Sequence, residues 1–134
     1  MNNIDKVKRQ LAKPVMIKLT NDEGQEDEFM FKRLNIEQQA LLMEVGKRIQ
    51  SRDMVTVAGN EVPDLKKEDL SDMGDLIFDI VKTSMPELDD ETAKDFTSNN
   101  FNELSEALTE LMPKDNGNVE LMKKKLEEAR NAKQ

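Results

Sequence analysis

LSDMGDLIFDIVKTSMPELDDETAKDFTSNNFNELSEALTELM, residues 70–112, reads as two amphipathic helices at the ends of an acid-rich link. Leu70, Met73, Ile77, Ile80 and Val81 recur at steps of three and four residues, which places them on one helix face. That helix starts near Asp64 or Asp69 and runs to about Thr83, where Ser84-Met85-Pro86 breaks it. Asp89 or Asp90 then caps a short helix through Phe96, with Glu91 in its first turn favouring the dipole. After a second break at Ser98-Asn99-Asn100, Phe101, Leu104, Leu108 and Leu111 line one face of a helix to Met112, and Pro113 ends it. Neither stripe can leave water alone, so each needs the other or a partner.

Upstream the period changes from helical to alternating. Val15, Ile17 and Leu19 point one way and Met16, Lys18 and Thr20 the other, the pattern of a half-buried strand. Asn21-Asp22-Glu23-Gly24 is a turn, with Gly24 free to take positive φ. Glu26–Leu34 alternates again, with Phe29 and Phe31 opposite Met30, and the two runs predict a β-hairpin. A lone hairpin is marginal in water, so its Phe face must pack on helices. Asn35 with Gln38 three residues on signals a capped helix over 36–51, with Ile36, Ala40, Leu42, Met43, Val45 and Ile49 inward. Arg52–Pro63 is a loop in which Met54–Val57 and Glu61–Val62 can pair as a small ribbon across Gly59-Asn60. The fold class expected is α+β, mainly α, with an N-terminal β-hairpin packed on a small bundle of about four helices.

Three segments follow from composition. Residues 1–13 form a basic arm, where four basic groups face Asp5 and Ile4, Val7 and Leu11 sit at helical spacing; a short helix and a frayed arm both fit. Residues 14–113 form the hairpin plus helical domain, holding 23 acidic against 10 basic residues, a net charge of about −13. Residues 114–134 form a linked C-terminal helix over 119–132, with Val119, Met122, Leu126 and Ala129 on a narrow stripe and Lys123–Lys125 among glutamates. Nine methionines suit irregular core gaps first and adaptable binding surfaces second.

The residue inventory argues against chemistry. The 134 residues include no cysteine and no histidine, which removes the disulfide, the thiolate ligand, and the commonest general base and metal ligand. Asp64, Glu68, Asp69, Asp72, Asp75 and Asp79 include i,i+3 and i,i+4 pairs, but a di-metal helix site usually adds histidine, so a solvated acidic face is expected. Asn21–Glu28 lacks the residue order and closing glutamate of a calcium loop. The isolated glycines form no phosphate loop. No enzyme activity, metal or cofactor is therefore expected. The acidic body disfavours a phosphate backbone, so nucleic acid is not an expected partner. With no apolar run long enough for a bilayer and no signal-like start, the expectation is a cytoplasmic protein without membrane association.

The order of hairpin, helix, acidic loop and paired helices resembles the small tail assembly chaperones of long-tailed bacteriophages. The likeness lies first in EDEFMFKRLNIEQQALLMEVGKRI, Glu26 to Ile49, where an alternating aromatic strand enters a helix through Leu34-Asn35-Ile36-Glu37. It lies second in IVKTSMPELDDETAKDFTSNNFNELSEALTELM, Ile80 to Met112, where Ser84-Met85-Pro86-Glu87-Leu88 and an acidic cap precede Asn100-Phe101-Asn102-Glu103-Leu104. The two stretches cover less than half of the chain, and the likeness is one of pattern. It implies a protein of the infected or lysogenic bacterial cytoplasm that binds the helix-rich tape measure protein before the tail tube forms. The tail tube protein and a second copy of the chain are further expected partners, and a frameshifted longer product is a family feature. In that role the client surface falls on Leu104, Leu108, Leu111 and Met112, with Met122 and Leu126 nearby. Two rival readings remain: a structural tail or head–tail joining component of the particle, and an acidic regulatory protein that mimics DNA.

Overall fold

The computed structural model describes residues 2–11 and 13–113. The elements in order are α1 (Asn3–Gln10), β1 (Val15–Thr20), β2 (Glu26–Phe31), α2 (Ile36–Gln50), β3 (Met54–Val57), β4 (Asn60–Pro63), α3 (Lys67–Ser84), α4 (Asp90–Asn99) and α5 (Phe101–Ala107), closed by a 3-10 turn at Leu108–Leu111. The fold is α+β and mainly α. The hairpin β1–β2 packs on a helical body, and β3–β4 is a separate two-stranded ribbon.

The hairpin forms where the alternation places it. β1 and β2 pair antiparallel from Val15↔Phe31 to Thr20↔Glu26. In the turn, the Asn21 side-chain oxygen accepts from the backbone N–H of Glu23 and of Gln25, and Gly24 takes φ +82°. The inner face carries Ile17, Leu19 and Phe31 into the core. Phe29 meets Phe96 of α4 edge-on, ring centroids 5.3 Å apart, a preferred aromatic geometry. The packing demanded of a lone hairpin is thus supplied by helices.

α2 begins on a reciprocal cap. Asn35 Oδ1 accepts from Gln38 N at 2.9 Å, and Gln38 Oε1 accepts from Asn35 N at 3.0 Å. The same Gln38 amide donates to Asp79 at 2.8 Å and to Thr83 at 3.2 Å, both on α3. A buried amide must be satisfied, and this one is satisfied by tying the start of α2 to the end of α3. The expected face of α2 is inward from Leu42 onward and departs from expectation only in its first turns. Gln38, Leu42 and Val45 are inward, Met43 and Ile49 are half-buried, while Ala40 is exposed and Ile36 is 82% exposed at the first helical position.

α3 contributes Leu76, Ile77, Ile80 and Val81 to the core and packs on α2, α4, α5 and β2. Leu70, expected on that face, is 48% exposed, because the buried stripe of the first turn is led by Asp69. Asp89 caps α4 by accepting from Thr92 N at 2.7 Å, which holds its carboxyl below the usual range. Asn100 separates α4 from α5, its Nδ2 donating to the Phe96 carbonyl at 3.0 Å. The predicted helix to Met112 is α-helical only to Ala107 and then tightens into the 3-10 turn. Arg33 closes the body. Its Nη1 donates to the Met112 carbonyl at 2.7 Å and to that of Glu110 at 3.2 Å, and its Nε donates to the Lys13 carbonyl at 2.9 Å. The two Nη1 bonds satisfy carbonyls that the end of a helix leaves without partners. The expected helix at 119–132 lies outside the described residues.

The ribbon forms, with one correction. The register Val57↔Asn60 makes Ala58-Gly59 the two-residue turn, not Gly59-Asn60. Both residues take positive φ, +51° and +81°, as the primed hairpin turn requires. Alanine is strained there by roughly 1–2 kcal/mol. Ala58→Asn should therefore stabilise the fold by up to about 1 kcal/mol, seen as a higher urea midpoint at unchanged slope. An unchanged midpoint would mean the ribbon folds independently of the body.

Candidate binding surface

Asp69 sets the corner where α2, the ribbon and α3 meet. Its carboxylate accepts from Arg52 Nε and Nη2, both at 2.9 Å, and from Lys66 N at 2.8 Å. Arg48 Nε stands 3.5 Å from it, while Arg48 Nη2 binds Asp72 at 2.5 Å. Arg52 also reaches Glu68 at 2.8 Å. Asp69 is only 1% exposed, so the expected solvated acidic face is corrected at this position: the carboxylate is buried and paired. The Arg52 fork, followed by the Lys66 N–H, lowers its pKa from 3.8 to about 2. Reciprocally, Asp69 and then Glu68 raise Arg52, and Asp72 leads the rise at Arg48. No group of three or more His, Cys, Asp or Glu among the described residues could hold a metal ion.

Beside this corner lies an open groove of about 360 Å³, walled by Ile49, Leu65, Leu70, Met73 and Phe101. Asp69 forms part of its wall, and Asn102, Ser105 and Glu106 of α5 line the other side. Leu65 and Leu70 are exposed; Ile49, Met73 and Phe101 are half-buried. Two other apolar pairs face outward directly across a strand register, Met16↔Met30 on the hairpin and Val55↔Val62 on the ribbon. A further exposed stripe runs along α1, where Ile4, Val7 and Leu11 are 66%, 59% and 64% exposed and no residue is buried.

The residues expected to form a client surface lie elsewhere. Leu104, Leu108, Leu111 and Met112 are all buried in the core with Leu34, Leu76 and Val81. Their helical spacing is that of a face, but the hairpin and α3 already cover it. Met122 and Leu126 lie outside the described residues. Spacing alone does not reveal the groove, because Ile49, Leu70 and Phe101 each fit the inward face of a separate helix. The one usable signal was Leu65, a leucine in the polar stretch before α3.

No protein-family model matches the chain, and no curated protein or solved structure matches it either. No helix among the described residues is long and apolar enough to cross a membrane.

Two outcomes check this geometry. A carboxyl whose folded pKa is depressed stabilises the fold above its unfolded value and loses that contribution as pH falls toward the folded one. Acid titration should therefore show stability falling between about pH 4 and pH 2, and Asp69→Asn should remove much of that slope while lowering stability near neutral pH. An unaltered acid slope in Asp69→Asn would place the titrating groups elsewhere. Separately, Leu108→Ala should cost about 2–5 kcal/mol in chemical denaturation, whereas Leu70→Ala should change stability by no more than about 0.5 kcal/mol. Equal effects would contradict the assignment of core and surface.

Proposed function

We propose that this protein is a tail assembly chaperone that binds the tape measure protein while a phage tail is assembled, acting in the cytoplasm of the bacterial host. The observation that carries the reading is the apolar groove of Ile49, Leu65, Leu70, Met73 and Phe101, open on a body of net charge about −13. Exposed apolar patches rimmed by polar groups mark sites for other polypeptides. An amphipathic helix lays its apolar face into such a groove, with anchors one turn apart. Methionine in the wall adapts to client helices that differ in sequence. The acidic remainder of the body keeps the complex in solution. The resemblance over Glu26–Ile49 and Ile80–Met112 supports the choice of client, and the site on this reading is the groove rather than Leu104, Leu108, Leu111 and Met112.

Co-expression with a long helix-rich tape measure protein tests it. The wild-type chain should hold the client soluble and copurify with it. Leu70→Asp and Leu65→Ser, both at exposed positions, should sharply reduce both, while the circular dichroism of the variants alone stays unchanged. Mass spectrometry of purified particles separates this role from a structural one: stoichiometric presence of the chain in the particle would overturn the chaperone reading in favour of a tail or head–tail joining component.

A further inference from the structure

The chain exposes a plug as well as a socket. α1 is a short helix with Ile4, Val7 and Leu11 on one face and Lys6, Lys8 and Arg9 around it. Asn2 caps it, accepting from Asp5 N at 2.8 Å, so the helix has its own start signal. It leaves the body at Lys13, whose carbonyl is held by Arg33, and no α1 residue is buried against the other described residues. An eight-residue helix is marginal in water unless its apolar face is covered. The groove beside Asp69 offers the complementary surface. Its lining is largely apolar, and Glu106 stands in its wall; Glu103 and Glu110 line, with Glu106, a neighbouring cavity beside Met16, Ile17 and Lys18 of β1. None of these three glutamates makes an ion pair among the described residues. One turn beyond Leu70, Gly74 has no atom within 4 Å of where a Cβ would stand, so the α3 surface there is open to close approach.

We infer that α1 of one copy docks in the groove of a second copy, Ile4, Val7 and Leu11 covering Leu65, Leu70, Met73 and Phe101 while Lys6, Lys8 and Arg9 face the acidic body around Glu106. Two features select a second copy as the occupant. The basic arm and the acidic body have opposite charge, and the other described residues leave both apolar surfaces open. Plug and socket are different patches, and a two-fold exchange, in which each copy gives its α1 to the other, is the arrangement that closes the contact as a dimer rather than an open chain. The inference concerns the purified chain by itself and stands without the chaperone reading; where both hold, a client helix competes with α1 for the one groove.

Analytical ultracentrifugation of the full chain over a concentration series should show a dimer that salt weakens, since the contact is partly electrostatic. Val7→Asp and Leu70→Asp, both at exposed positions, should each weaken association by about tenfold or more with unchanged helix content. The chain has no cysteine, so introduced thiols report geometry cleanly. Val7→Cys mixed with Leu70→Cys should give a disulfide-linked heterodimer in excess of either homodimer. A particle that stays monomeric at every concentration overturns the inference. So does a crosslink within one chain when Val7→Cys and Leu70→Cys are combined, because α1 would then cover its own groove. An intrachain crosslink from Leu70→Cys to Met122→Cys overturns it too, because the C-terminal segment would then be the occupant.

Discussion

Leu76, Ile77, Ile80 and Val81 on α3 are the surface that the packed elements share. α2 lies along them, α4 and α5 cross them, and β2 brings Phe31 against them. With only five phenylalanines and no tryptophan or tyrosine, the chain has few large side chains with which to fill space. It fills the centre with branched aliphatics from one long helix and sets everything else around that helix. The hairpin, marginal alone, is stable because its inner face ends on this core. The short helices α4 and α5 gain most of their stability from the same contact, since helices of that length are held by packing rather than propensity.

Polar ties then set how the elements are placed on α3. Gln38 caps its own helix and bonds Asp79 and Thr83, fixing the end of α3 nearest the hairpin. Asp69 with Arg52 and Arg48 fixes the opposite end. A buried carboxylate tolerates little freedom, since removing one partner leaves a desolvated charge. The two ties hold α2 and α3 at a set angle along their lengths, and Arg33 draws the last turn onto the strand-to-helix junction. The groove beside Asp69 is a consequence. Ile49 near the end of α2, Leu65 just before α3, Leu70 near its start and Phe101 at the start of α5 meet where no further element among the described residues covers them.

Charge and grease are therefore separated in an unusual way for so small a chain. The acidic residues coat the helical body, and, apart from Ile36 and Val57, the exposed large apolar residues lie in the groove, on α1 and in two cross-strand pairs. Such surfaces suit contact with another polypeptide, which is the common ground of the proposed chaperone role and of exchange between copies. In both, affinity would come from apolar burial, and the surrounding charge would govern partner choice and encounter rate.

The residues themselves determined the elements. Alternation in 15–20 and 26–31, Gly24 at the turn, the Asn35–Gln38 cap, the stripe ending in Ile77, Ile80 and Val81, and the acidic cap at Asp89 each specify local structure through backbone and solvent preferences that need no distant partner. Faces were another matter. Ile36 and Leu70 obey helical spacing and yet stay in water, while Gln38 and Asp69, polar by composition, are buried. Periodicity states that a helix has an apolar side; which residues at its margin are covered depends on where the neighbouring helix ends. The same limit explains why Leu104, Leu108, Leu111 and Met112 looked like a surface for a client. Their stripe is genuine, but β1–β2 and α3 already occupy it. The groove is the converse case, because its walls come from residues 49, 65, 70, 73 and 101, and only tertiary packing brings positions so far apart in the chain to one place.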